Sequence, residues 1–144
     1  MSNTYEMNSQ ASRVIEKARI RQAVLKKQAL EELLGIVNRI CEQEGTSYFA
    51  VGDLLTLGMT GTDSDPERME YMIVMMREDY DCFMRAAMEH AEEHDIEVLP
   101  MYAPDGRLVR MNSCITMFRE SRREDGYTNV HLVLRIDPYE IVPK

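Results

Sequence analysis

The chain has 144 residues, 44% of them apolar, enough for one domain with a real core and too few for two ordinary ones. It contains no run of about 18 apolar residues, the length that a membrane-spanning helix needs. The net charge of -8 argues against broad nucleic-acid binding.

The polar start, MSNTYEMNSQ, lacks the apolar segment of a secretory signal. Residues 1–11 are expected to be a flexible terminus and 12–144 a single domain. From Ser9 or Ser12 to Glu44 the pattern is helical and free of proline, and Gly45 is a natural stop. In the second half Leu30, Leu33, Leu34, Val37, Ile40 and Cys41 form one apolar stripe. The first half, with Val14, Ile15, Ala18, Val24 and Leu25, has a weaker stripe and is either a separate helix or an extension that needs a partner. Residues 11–30 also hold six basic side chains against Glu16, a local charge of +5 that leaves about -13 for the rest. This stretch reads as a solvated helix face or as a surface for an acidic partner. Arg13, Lys17, Arg21, Val24 and Leu25 are the candidate partner-binding residues, for another protein or for self-association.

SYFAV (47–51) predicts a short strand, Gly52-Asp53 a turn and LLTLGM a short helix. Residues 60–68 read as a loop. The apolar run from Met72 to Met76 predicts a strand buried on both faces, followed by a helix over 77–94 that buries Tyr80, Phe83, Met84, Ala87, Met88 and Ala91. Segments 96–102 and 107–112 flank a hairpin turn at Ala103-Pro104-Asp105-Gly106, and 114–120 and 129–136 flank another at Glu124-Asp125-Gly126. Two strand–helix steps and then hairpins predict an α/β or α+β sheet of about five strands with flanking helices. Cys41, Cys82 and Cys114 are odd in number and lack C-x-x-C spacing, so a reducing cytoplasm is expected rather than a disulfide scaffold or zinc ribbon.

Several stretches together resemble the LicD family. The helix ending and strand in VNRICEQEGTSYFAVG match that family's Cys-Glu and Tyr-Phe motifs. Gly52 and Pro66 match its glycine turn and the proline before its acidic strand. MREDYDCF matches its Arg-Glu-Asp-Tyr helix start, and RIDPYEIVPK matches its late strand. The match runs from about 27 to 143 and lacks the family's usual C-terminal portion. LicD proteins are bacterial phosphotransferases, related to the fukutin proteins, that attach phosphorylcholine to surface glycans. The resemblance implies a polymerase-beta-like nucleotidyltransferase fold.

It also implies which positions should carry chemistry. In this fold two carboxylates on one strand and a third on a neighbour hold Mg²⁺, which neutralises charge in phosphoryl transfer. Here the family's acids fall on Arg68, Met69, Glu70 and Met72, and the third falls on Arg135. The small residue of the glycine turn is Asp53, and the loop's basic residues fall on Thr60 and Thr62. Methionine and arginine give magnesium no oxygen ligand, so no cofactor is expected and the chain reads as a pseudoenzyme. Gly52, Asp53, Arg68, Glu70, His131 and Arg135 are the candidate ligand-binding residues, with the arginines gripping a phosphate or nucleotide or pairing with local acids such as Glu70 or Asp137. An alternative is an active phosphotransferase with a site rebuilt from Asp63, Asp65, Glu67 and Glu70, of which Asp63, Asp65 and Glu70 would hold Mg²⁺. A third reading is the non-catalytic subunit of a hetero-oligomer. HAEEH (90–94) fits a histidine-pair zinc pattern but sits at the polar tail of a helix, where the dipole alone favours histidines. The many methionines read as core filling, or as an adaptable binding face where exposed.

Overall fold

The computed structural model describes residues 4–61, 70–124 and 126–141, with side chains from residue 8 onward. The elements are α1 (Thr4–Glu44), β1 (Phe49–Val51), α2 (Gly52–Thr60), β2 (Glu70–Met76), α3 (Arg77–Glu89), α4 (Ala91–His94), β3 (Glu97–Leu99), β4 (Ser113–Arg123) and β5 (Gly126–Tyr139). The five strands form one mixed sheet in the order β1-β2-β5-β4-β3. β2 and β5 run parallel, and the other neighbours run antiparallel.

The first helix is continuous over 41 residues, which answers the question of one helix or two. It starts at Thr4, so residues 4–11, expected to be loose, are helical as well. Its inward stripe, with Leu33, Val37 and Ile40, shares one core with Tyr80, Phe83 and Ala87 of α3 and with one face of the sheet. That face presents Tyr71, Ile73 and Met75 of β2, Leu132, Leu134 and Ile136 of β5, and Ile115 and Met117 of β4. Period-two alternation puts their neighbours on the opposite face. Met72 and Val74 there are half-buried, and Met76 is exposed. Among the described residues the run 72–76 is therefore packed by helices on one face only, the face on which the buried side chains of α1 and α3 join the core.

Four further expectations change. The helix over 77–94 breaks at His90 into α3 and α4, and Asp95 closes it at a φ of 53°. Met88 is 46% exposed rather than buried. Residues 107–112 do not form a strand, and that hairpin is reduced to a single bridge between Tyr102 and Leu108. Leu108, Val109 and Met111 are all exposed, so this apolar segment finds no face to pack on, which is what a strand needs. The second hairpin is longer than expected, with β4 and β5 paired from Ser113↔Ile136 to Arg123↔Gly126. Among the described residues no helix is long and apolar enough to cross a membrane.

Arg119 on β4 fastens this hairpin to α1. Its Nε donates to Glu32 Oε2 at 3.1 Å and its Nη2 donates to Glu32 Oε1 at 2.8 Å, a two-pronged pair. Further donations reach the carbonyls of Phe118, His94 and Asp95. The hydrogen bond from Arg119 holds the Glu32 carboxyl below its usual value, against a smaller opposing effect of burial. A carboxyl lowered on folding stabilises the fold above its unfolded value, and that gain disappears as pH falls through the folded value. Glu32 is half exposed, so solvent screens the pair to less than about 1 kcal/mol. Urea midpoints at pH 7 and pH 3 should therefore differ slightly more in the unmodified chain than in Glu32→Gln. Equal losses would mean that the pair adds nothing.

Candidate functional site

The opposite face of the sheet, which no described helix covers, carries Glu70, His131 and Arg135. Strand register sets its layout. Val51 pairs with Met72, Met72 with Arg135, Arg135 with Cys114, and Cys114 with Leu99. These five side chains make one row across the sheet. In the next row Glu70 pairs with Val133, Val133 with Thr116, and Thr116 with Glu97. On the other flank Val74 pairs with Asp137. Arg135 thus sits at the centre of the face, between a thioether and a thiol, with Glu70 in the adjacent row.

The charges respond to this placement. Arg135 Nε donates to Asp137 Oδ1 at 2.9 Å, with the two side chains 37% and 27% exposed. That hydrogen bond holds the Arg135 guanidinium above its ordinary value, and Glu70 adds to the effect. Arg135 therefore stays cationic at any physiological pH. The Cys114 thiol is pushed up by burial and by Glu97 and Glu70, against Arg110. A thiol raised in this way is a poor nucleophile at neutral pH, since the thiolate is the reactive form. Nothing in this row supplies an activated nucleophile or a pair of oxygen ligands.

Gly52 stands at the end of the same row. β1 stops at Val51, and Gly52 takes a φ of 57° to open α2. A side chain there would be strained, so the glycine follows from the backbone of the turn. Asp53, in the first turn of α2, is half-buried. Its carboxylate there suits the helix dipole without any ligand.

His131 shares the face of Arg135, as the two-residue period requires, but pairs with Phe118 and lies four residues away along β5. That is about 13 Å along a strand, too far to serve the same small anion. Arg68, Asp63, Asp65 and Glu67 lie outside the described residues, so Glu70 alone of the rebuilt acidic set is placed. The parallel register makes Met72, rather than Arg68, the residue beside Arg135.

The remaining candidates fall elsewhere. His90 Nδ1 lies 3.0 Å from Glu93 Oε2, and the His90 and His94 rings are 6.4 Å apart at the break between α3 and α4. Among the described residues no group of three or more histidine, cysteine and acidic side chains is arranged to hold a metal ion. At the metal positions that the LicD resemblance implies, the donor set itself does not fit magnesium. The Met72 thioether is a soft ligand, and the Arg135 cation opposes Mg²⁺.

On α1, Arg13 and Lys17 are exposed and Val24 is 49% exposed, whereas Leu25 packs on the core and Arg21 lies against Gly126 at the hairpin tip. The basic stretch is therefore not uniformly solvated. Lys26 is buried, with its ammonium 5.3 Å from the centre of the Tyr71 ring. Sequence reasoning left Cys114 without a role beside Arg135. Pairing the expected strands 114–120 and 129–136 about their turn, with Glu120 opposite Asn129, places it there. No family model matches the chain, and no curated protein or solved structure matches it either.

Proposed function

We propose that this is a LicD-like protein on a nucleotidyltransferase-type core that has given up metal-dependent phosphoryl transfer and works as a binding or regulatory module. Its ligand would be phosphate-containing and held by Arg135. The observation that carries this reading is the pairing of Met72 with Arg135 on adjacent parallel strands, facing the same way. The resemblance puts two metal-binding carboxylates at those two positions. A metal site needs such positions to be neighbours, and they are. The Met72 thioether gives a hard cation no oxygen, and the Arg135 guanidinium keeps N–H donors for an anion beyond the one given to Asp137. Gly52 at the end of the same row, in a backbone conformation that suits glycine, supports the reading further.

Thermal melts with pyrophosphate and a nucleoside diphosphate test it. At a concentration ten times Kd, a ligand that binds only the folded chain adds about 1.4 kcal/mol, or a Tm rise of roughly 3–5 °C for a chain of this size. Arg135→Met should remove that rise. No shift at ten millimolar of either compound would sink the anion reading. A specific placement favours one other reading, since Glu70 lies beside this row. Stabilisation by Mg²⁺ that Asp65→Asn abolishes would point to an active phosphotransferase with a rebuilt acidic site. Self-association through α1, with catalysis on another subunit or absent, is compatible with either.

A further inference from the structure

The first helix is basic in its N-terminal half and acidic in its C-terminal half. Residues 4–27 hold Arg13, Lys17, Arg19, Arg21, Lys26 and Lys27 against Glu6 and Glu16, a net +4. Residues 28–44 hold Glu31, Glu32, Glu42 and Glu44 against Arg39, a net -3. The helix dipole favours acids at the N-terminal end and bases at the C-terminal end. The last turn of α1 has no basic residue at all. Two helices charged in this way attract when they lie alongside in opposite directions.

The outward face of α1 fits that arrangement. Arg13, Ile20, Val24 and Lys27 fall on one side at steps of seven, four and three, and Glu31, Gly35 and Glu42 continue the line. All of them are exposed. Ile20 and Val24 are 55% and 49% exposed, two large aliphatic side chains at the edge of a groove between α1 and the tip of the β4–β5 hairpin. Gly35 sits in the middle of the helix although a Cβ there would meet nothing within 4 Å. Its own fold gives no reason for a glycine that weakens a helix relative to alanine. Close approach of another helix does give one.

We infer that α1 pairs with α1 of a second copy of this chain, antiparallel and about a two-fold axis. Setting Arg13 opposite Glu42 of the second copy brings Ile20 opposite Gly35, where the missing side chain leaves room for it. Val24 then lies against the stem of Glu31, and Lys27 of each copy comes near Glu31 of the other, close to the axis. The two-fold axis repeats every contact, so the contact closes as a dimer rather than growing into a filament. The paired stretch, from residue 13 to 42, is about 44 Å long at the helical rise. This deepens the self-association reading and leaves the Arg135 ligand reading untouched.

Sedimentation equilibrium on the full chain tests it. The unmodified chain should be a dimer at micromolar concentration and should dissociate as salt is raised. Arg13→Glu alone and Glu42→Arg alone each create two like-charge contacts and should raise the dimer dissociation constant by roughly tenfold or more. Mixing the two variants in equal amounts should restore the dimer, because each repulsive pair becomes attractive in the mixed species. A monomer at one hundred micromolar would overturn the inference. So would a dimer that neither charge reversal weakens, or a mixture no tighter than its components. Both positions are exposed, so a loss of dimer can be separated from unfolding by an unchanged circular dichroism spectrum. Failure here leaves the pyrophosphate melts as they stand.

Discussion

Phe83→Ala should lower Tm by about 10 °C, while Phe118→Ala should leave it nearly unchanged. Phe83 on α3 is fully buried in the core shared by α1, α3 and the covered face of the sheet. Phe118 on β4 is 51% exposed and points to the opposite face. Truncating a fully buried phenylalanine costs about 3–5 kcal/mol, because the apolar transfer term is lost and the cavity only partly collapses. At roughly 2–4 °C per kcal/mol for a chain of this size, that gives the expected drop. An exposed aromatic far from any special backbone changes stability by no more than about 0.5 kcal/mol. Melts of the two variants therefore decide which face is covered. Equal drops would mean that something packs on the face of Arg135, and the candidate site would then be an interior rather than a surface.

That comparison matters because the second face was the part of the fold least legible in the sequence. Period-3.6 spacing in Leu33, Val37 and Ile40, and in Tyr80, Phe83 and Ala87, marked both core helices, because a helix that covers a sheet shows its apolar stripe directly. The strand run Met72–Met76 did not reveal its open side. Methionine and valine are apolar wherever they point, so alternation of burial left no alternation of residue type. Segment 107–112 failed for the opposite reason. Leu108, Val109 and Met111 resemble strand residues, yet a strand requires a partner edge and a face to pack on, and neither is encoded locally. At the site, the glycine of Gly52 and the cation of Arg135 were legible because each is a residue type with a restricted use. The pairing of Arg135 with Met72 was not, because it depends on the register of two strands whose paired residues lie 63 positions apart in the chain. Lys26 shows the limit of charge counting. It adds to the basic run in the sequence but is buried over Tyr71 in the fold.

The register makes a stronger claim than residue identities can, and it can be tested by installing carboxylates at the paired positions. Met72→Asp combined with Arg135→Asp would place carboxylates at positions 72 and 135, with Glu70 already two residues up the same strand face. Adjacent strands are about 4.8 Å apart, and alternate residues along a strand are about 6.6 Å apart. Side chains from three such points can converge on an ion with ligand distances of about 2.1 Å. Loss of the guanidinium also releases Asp137 from its 2.9 Å hydrogen bond, which adds a fourth carboxylate to the face. Without metal, these charges repel one another, and the double variant should melt several degrees below the unmodified chain. Ten millimolar Mg²⁺ or Mn²⁺ should recover that loss, a rise of roughly 5 °C or more, because a cation bound only by the folded state stabilises it through mass action. Either substitution alone should respond less, since one carboxylate with Glu70 leaves magnesium mostly to its waters. The unmodified chain, with Arg135 at the centre of the row, should respond to neither metal. A double variant as indifferent to metal as its parent would mean that the two positions do not converge. The nucleotidyltransferase-type core would then lose its main support, and Arg135 would have to stand as an anion site on the pyrophosphate melts alone.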